Sequence, residues 1–270
     1  VAAAANGQML GLIFFSILFG FYMTRITNKY SDTLISLWGG IFETMMSITM
    51  WVMKLAPIGV FGLVAKTVAN TGFDAFLPLL NFFITVIISL AIHICITLPL
   101  LLITLGQIKP FRHFKAMTPS LLTAFSTASS SATLPVTIEC VEKNAKVSNE
   151  TTSFVLPLGA TINMDGTALY ECIAAMFIAQ AYGLEISFIT QFIIVLTALL
   201  TSIGVAGIPA ASLVAISIIL GAIGLPLEAV GLILVTDRIL DMCRTAVNVF
   251  SDSCGAVIIA RRLGEKNVLA

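Results

Sequence analysis

Between Ile186 and Leu227 the chain runs for 42 residues without a formal charge. At about 1.5 Å of rise per residue, a helix of that length would cross a bilayer core of about 30 Å twice. Its middle reads Gly204-Val205-Ala206-Gly207-Ile208-Pro209, which breaks a helix. The stretch therefore predicts a hairpin. A second charge-free stretch, Ala116 to Ile138, carries Ser126, Thr127, Ser129, Ser130 and Ser131 at its centre and is closed by Pro135. It predicts another. Irregular backbone is not tolerated against lipid, so both tips should be buried in protein or face a water-filled cavity.

The rest of the chain also reads as membrane-embedded. Hydrophobic residues make up 58%, charged residues only 10%, and the mean hydropathy is +1.04, which excludes a soluble domain and a disordered chain. The 14 basic and 14 acidic residues cancel, so no basic surface argues for nucleic acid. Gln8 to Thr24 forms one apolar segment, about Thr33 to Ala69 a second with Glu43, Lys54 and Pro57 inside it, and Asn81 to Leu105 the cleanest span. Cys95, Cys140, Cys172, Cys243 and Cys254 show no CxxC or metal-ligand spacing and read as reduced packing residues. The chain begins at Val1, with no basic stretch ahead of a short apolar core. That pattern predicts no signal peptide and a part of a longer protein.

Charge in the connections sets orientation. Arg25, Lys29, Lys109, Arg112, Lys115, Lys143, Lys146, Arg261, Arg262 and Lys266 hold ten of the fourteen basic residues, and their loops should be cytoplasmic. Connections around Asp74, Glu185 and Glu228 are acidic, as outside loops should be. The count closes only if the Ser-rich hairpin enters from the cytoplasm and the Gly-Pro hairpin from outside, as an inverted pair. Each is followed by a helix with polar residues at its centre: Ser130 to Asn163 is 33 positions, Gly207 to Asp241 is 34. Paired interrupted segments of this kind point to a midplane transport site. The fold expected is an all-α membrane protein with re-entrant hairpins at about 110–145 and 187–221 and core helices at about 149–183 and 227–263.

The sharpest feature is in the last helix. Asp237, Asp241, Arg244, Asn248 and Asp252 fall at offsets 0, 4, 7, 11 and 15, within an arc of about 80° at 100° per residue. An ionisable group at the centre of a membrane helix costs about 2.5–3.5 kcal/mol, so it faces the protein interior and has a partner. A structural ion pair needs one acid and one base; here three aspartates meet one arginine, and the surplus acids call for something positive. An amino acid with an acidic side chain fits, its second carboxylate on Arg244 and its ammonium on Asp241. Thr245 and Asn248 can add neutral hydrogen bonds, and Asp252 is left for a hard cation.

In the preceding helix, Asn163-Met164-Asp165-Gly166-Thr167 interrupts an apolar run from Phe154 to Leu169. Unwound carbonyls beside a carboxylate make an alkali-cation site. Glu171 reads either as an interfacial acid or as a buried carboxyl able to carry a proton. Ser129-Ser130-Ser131 is a linker composition in soluble proteins, but between apolar arms its hydroxyls and free N–H groups can grip an α-carboxylate. His93 and His113 have no ligand-spaced partners and read as a packing and a cytoplasmic-loop residue.

Together, Ser129-Ser130-Ser131-Ala132-Thr133-Leu134-Pro135, Asn163-Met164-Asp165-Gly166-Thr167, Gly204-Val205-Ala206-Gly207-Ile208-Pro209 and Asp241-Met242-Cys243-Arg244-Thr245 resemble the dicarboxylate/amino acid:cation symporters, the glutamate/aspartate transporter family, from about Asn6 to the C-terminus. The resemblance implies a homotrimer in the cell membrane, with a scaffold (1–72) and a transport domain (73–270) that moves as an elevator, and it implies that the first three spans and part of the fourth are absent. It implies substrate contacts at Ser129, Ser130, Thr167, Asp241, Arg244, Thr245 and Asn248, with backbone contacts from Ala128 and Ile208. It implies sodium contacts at Gly159, Asn163, Asn248 and Asp252, at Thr161, Met164, Ser202, Ile203 and Val205, and at Asp165, with Glu171 matching the proton-carrying glutamate of animal members. Ala128 and Met242 stand where other members place an extra arginine, unless Arg238 substitutes. The coupling ion is then sodium, a proton or both, with no enzymatic cofactor. A C4-dicarboxylate alone would not need Asp241, and a neutral amino acid would not need Arg244. Other classes fit less well: an intramembrane protease would need a Gly-x-Gly-Asp or Gly-x-Ser-Gly element, and neither occurs. An ion channel leaves the pairing of Arg244 with Asp241 unexplained.

Overall fold

A computed structural model describes residues 9–55, 58, 61–62, 65, 76–203 and 212–269. The described residues are helical, with no strand among them. The chain divides into two compact units, 1–72 and 73–270. In the first, α1 (Met9–Met23) and α2 (Asn28–Met53) touch through Phe19 and Trp38, whose rings meet edge-on at 6.1 Å.

The second unit starts with α3 (Phe76–Ile92), which continues as a π turn (His93–Thr97), α4 (Leu98–Leu101) and a second π turn (Leu102–Gly106). Together they make an apolar helix, Leu77–Gly106, long enough to cross a membrane. It starts before Asn81 because Pro78 lies in the first turn, where no N–H is needed. Pro99 has no N–H for the turn before it, and the π turn precedes that gap. Ile88, Ile92 and Ile96 stay exposed along one face.

Three helix pairs and a last long helix follow. α5 (Pro110–Thr127) and α6 (Ser130–Glu139), extended by a π turn (Cys140–Asn144), meet at Ala128 and Ser129. Ala128 is left-handed (φ 51°) and its N–H bonds Ala124 O; Ser129 is extended and its hydroxyl caps the next helix by accepting from Ala132 N. Pro135 does not close this stretch as expected; it lies inside α6, the helix tolerating one missing donor. α7 (Asn149–Ile162) and α8 (Asp165–Ala181) come next, then α9 (Phe188–Ser202) and α10 (Ser212–Ala222), a 3-10 turn (Leu227–Leu232) and the long α11 (Leu234–Arg262).

α11 sits between two apolar cores. Toward its C-terminal end, Phe250 and Val257 pack with Leu102, Met117 and Leu156. Toward its N-terminal end, Leu240 and Val247 pack with Phe82, Tyr170, Ile178, Ile216 and Leu220. In lipid such contacts stabilise by close packing rather than by dehydration. The polar stripe runs along the helix between the two cores. Of the cysteines, Cys140 and Cys254 are buried in the first core, but Cys95 is exposed rather than packed; all are free thiols. At the C-terminal end, Glu265 accepts from Ser148 N (2.8 Å), Ser148 Oγ (2.7 Å) and Thr151 Oγ1 (2.7 Å), tying the tail to the start of α7.

Candidate functional site

All five residues of the α11 stripe are buried, as their shared face requires. Arg244 is wholly buried: Nη2 donates to Asp241 Oδ1 (2.9 Å) and Asp237 Oδ1 (3.2 Å), and its guanidinium carbon lies 3.8 Å from the centre of the Tyr170 ring. Tyr170 Oη donates to Asp237 Oδ1 at 2.9 Å. Asp237 is thus the arginine's structural counter-ion as well as Asp241, and Tyr170 is a site residue that the sequence reading passed over. Among the described residues, Arg244 Nε and Nη1 have no hydrogen-bond partner, although both are buried. Nη2 is engaged, and Nε and Nη1 on either side of it still have protons to give. Arg238 is exposed, about 100° round the helix from Asp237, and does not join the site.

The break in the preceding helix is at Asn163 and Met164, whose backbones leave the helical region (φ/ψ −106°/74° and −107°/56°). It is shorter than the motif suggested, because Asp165, Gly166 and Thr167 already form the first turn of α8. A helix start leaves N–H groups without partners, and here α11 supplies one. Asn248 Oδ1 accepts from Gly166 N (2.8 Å) and Thr167 N (3.3 Å), while its Nδ2 donates to Thr167 Oγ1 (2.9 Å) and reaches Met164 Sδ (3.7 Å). Asp165 Oδ1 accepts from Gly166 N as well, at 2.9 Å. Gly166 permits this approach, since a Cβ there would lie 3.0 Å from both Arg244 O and Asn248 Oδ1.

Below the break, Asp252 accepts from Asn163 Nδ2 at 2.9 Å, so it is not left free, and Asn163 also donates to Ser251 Oγ at 3.0 Å. A Cβ on Gly159 would come within 2.6 Å of Asp252 Oδ1, so the carboxylate rests against α7 backbone. A carboxylate, an amide and backbone carbonyls are the oxygen donors that a hard cation takes. These residues line one side of a groove of about 280 Å³ whose other side is apolar, from Leu98, Leu101 and Ile258.

Both histidines need correction. His93 is no packing residue: its Nε2 lies 2.7 Å from Asp165 Oδ2, placed there from the π turn. His113 is not in a loop; it is buried in α5 with Nε2 2.9 Å from Ser253 Oγ and its ring beside Phe250. Glu171 is fully buried in α8 rather than interfacial, and Thr201 Oγ1 of α9 lies 3.1 Å from its Oε2.

Sequence comparison identifies the family. Residues 1–262 match the sodium:dicarboxylate symporter family. The chain belongs to that family. It is 41% identical over 262 residues to the proton/glutamate-aspartate symporter of Escherichia coli (strain K12), covering 97% of this chain and 59% of that protein. It is 44% identical over 255 residues to excitatory amino acid transporter 3 of Mus musculus, covering 94% of this chain and 49% of that protein. For excitatory amino acid transporter 1 of Homo sapiens the figures are 41% over 262 residues, 96% and 48%. The chain thus spans about half to three-fifths of the length of these relatives. The family is one of membrane transporters rather than enzymes, which removes the protease reading.

The structure places the expected symporter residues unevenly. Asp241, Arg244, Thr245, Asn248 and Asp252 share the buried stripe with Thr167 and Met164 against it, and Ser129 and Ser130 are buried at the α5–α6 turn. Ser202 is buried at the end of α9, its hydroxyl on Leu199 O. Thr161 is exposed, its hydroxyl turned to Pro157 O and Leu158 O, and Ile203 is 44% exposed; the side chains of these two are not drawn into a site. Val205 and Ile208, with the Gly-Pro tip, lie outside the described residues.

Proposed function

We propose that these residues form the substrate- and cation-binding part of a symporter that carries glutamate or aspartate across the cell membrane, driven by sodium, protons or both. The observation that carries the reading is Arg244: a buried guanidinium with two donors unused and two aspartates already beside it. Two parallel N–H groups match a carboxylate. The side-chain carboxylate of the substrate takes an unused N–H of Arg244 together with the Nη2 proton that Asp241 gives up, and its ammonium takes Asp241, so charge stays balanced as Arg244 and Asp241 loosen from one another. Asp237 and Tyr170 keep the arginine aimed. The α-carboxylate sits at Ser129 and Ser130 with the backbone of Ala128 and Ile208, and Thr167, Thr245 and Asn248 complete the hydrogen bonding.

The coupling cations are substrates in the same sense. Gly159, Asn163, Asn248 and Asp252 hold one; Thr161, Met164, Ser202, Ile203 and Val205 hold a second, Thr161 and Ile203 by their backbone carbonyls; Asp165 holds a third. Glu171 carries the proton. In this reading α5–α6 and α9–α10 are re-entrant hairpins entering from opposite sides of a multi-pass protein. Residues 73–270 are the moving transport domain, residues 1–72 part of the scaffold, and the assembly is a homotrimer.

The test is uptake of radiolabelled L-aspartate and L-glutamate into proteoliposomes by the protein carrying this chain, with sodium and proton gradients imposed separately, beside Arg244→Cys. The reading expects acidic uptake in the wild type, lost in the variant with neutral amino acids gained. Wild-type indifference to both acids under every gradient would overturn the substrate, and serine, alanine and succinate would then name the alternative.

A further inference from the structure

Glu171 is buried at the heart of α8, and the carrier role proposed above leaves open what holds its proton. Oε1 has no hydrogen-bond partner among the described residues, so whatever holds the carboxyl acts through Oε2, 3.1 Å from Thr201 Oγ1. The same hydroxyl lies 2.8 Å from Thr197 O and 3.2 Å from Ala198 O in its own helix. A threonine hydroxyl has one proton to donate. Elsewhere in this chain Thr85, Thr104, Thr118 and Thr123 donate to the carbonyl four residues back, at 2.7, 2.8, 3.0 and 2.9 Å. Thr201 makes the same contact at 2.8 Å, the shortest of its three. The contact with Glu171 can run either way, Thr201 donating to an ionised carboxylate or accepting from a protonated one; with its proton on Thr197 O, the nearer oxygen, Thr201 turns a lone pair toward Glu171. An ionised carboxylate would meet it oxygen to oxygen with no hydrogen between, whereas a protonated Glu171 donates across the gap.

We propose that Thr201 is the positioning residue that holds Glu171 in its proton-bearing form, as the acceptor of the Glu171 O–H, and so ties that proton to the α9 arm. The inference rests on Glu171 being the proton carrier. Release then follows from geometry: once α9 moves from α8 the acceptor is gone, and the proton leaves for solvent as Glu171 ionises. Among the described residues the surroundings offer no competing acceptor of like charge. α9, α10 and α3 carry no ionisable residue. α11 faces Glu171 with Arg244, already balanced by Asp237 and Asp241. Beyond α3, His93 is engaged with Asp165. Tyr170 and Cys172 are the neighbours of Glu171 on α8, with Tyr170 committed to Asp237. The 3-10 turn contributes Glu228, whose side chain lies outside the described residues.

The experiment is the pH profile of acidic amino acid uptake by the protein carrying this chain, comparing wild type with Thr201→Val, Thr201→Ser and Glu171→Gln. Valine keeps the branched shape and removes the acceptor. It should move the midpoint to lower pH by about 0.5–1 unit, the size of one hydrogen bond, with maximal uptake retained. Serine should restore the wild-type midpoint. An upward shift would mean that Thr201 donates to the carboxylate, and no shift that it holds nothing; either overturns the proposal. If Glu171→Gln keeps the wild-type pH dependence, the carrier reading fails instead. The infrared band of the protonated Glu171 carboxyl, absent in Glu171→Gln, reports the same titration without transport. It gives the answer in Thr201→Ala should the valine variant not fold.

Discussion

Replacing Gly159 by alanine should separate cation dependence from folding. The added methyl would sit 2.6 Å from Asp252 Oδ1 and 2.9 Å from its Cγ. Ordinary carbon–oxygen contacts begin at about 3.3 Å, so the carboxylate has to retreat by roughly 0.7 Å. Asp252 is fixed in α11 and takes a 2.9 Å bond from Asn163; the same retreat stretches that bond beyond use. An acceptor left unpaired in the interior costs about 1–3 kcal/mol, and alanine in place of glycine in a helix returns about 1 kcal/mol. The net loss, about 0–2 kcal/mol, is survivable. Cation binding is less tolerant, because ligand distances are held to about 0.2 Å. The assay is the thermal unfolding midpoint against sodium concentration, with choline replacing sodium, since a ligand of the folded state at free concentration L stabilises it by RT ln(1 + L/Kd). The sodium concentration that gives a set rise in the midpoint should increase by about tenfold or more, which is about 1.4 kcal/mol. Gly255→Ala is the control: it lines the same groove, a Cβ there meets nothing within 4 Å, and its sodium response should be unchanged. A Gly159→Ala protein that folds and keeps the wild-type sodium response would refute the placement of a cation between α7 backbone and Asp252.

Three further outcomes follow from the same contacts. Tyr170→Phe removes the donor to Asp237 but keeps the ring over Arg244; it should lower stability by about 1–3 kcal/mol and weaken acidic substrate binding by calorimetry, and unchanged affinity would deny Tyr170 a part in aiming the arginine. Ser253→Ala leaves His113 Nε2 unpaired beside an Nδ1 already without a partner, and the unfolding midpoint should fall in line with about 1–3 kcal/mol. Partial burial raises the affinity of Glu265 for a proton, but the hydrogen bonds from Ser148 and Thr151 outweigh it and hold the carboxyl below its ordinary value. Its stabilisation is therefore complete above the unfolded value of about 4.3 and lost as pH falls through the lower folded one; Glu265→Gln should abolish that part of the acid dependence in a melting series from neutral pH to below 4.

The legible part of this protein was the part governed by period. A stripe at offsets of 4, 3, 4 and 4 can only be one face of a helix, and α11 buries all five of its members. The serine and asparagine motifs announced irregular backbone, and breaks lie at Ala128–Ser129 and Asn163–Met164. His93 carried a signal too, as a lone ionisable group in the cleanest apolar span, but its partner is 72 positions away, and ligand spacing along the chain could not reveal it.

Periodicity names the face of a helix without naming what meets that face. Whether Asn248 would cap the start of α8, whether Tyr170 would stack on Arg244, and whether Thr201 or solvent would face Glu171 depended on how α8, α9 and α11 cross. The two glycines show the same division. Gly166 within an Asn-Met-Asp-Gly run looked like a helix breaker, yet it is helical, and its missing side chain lets α11 come close. Gly159 is one small residue among apolar ones until Asp252 is laid against it. Sequence by itself determined which residues were too polar for lipid and must therefore be gathered. Tertiary structure decided which were gathered with which, because a hydrogen bond is settled by distances of a few tenths of an ångström that only the packing of helices sets.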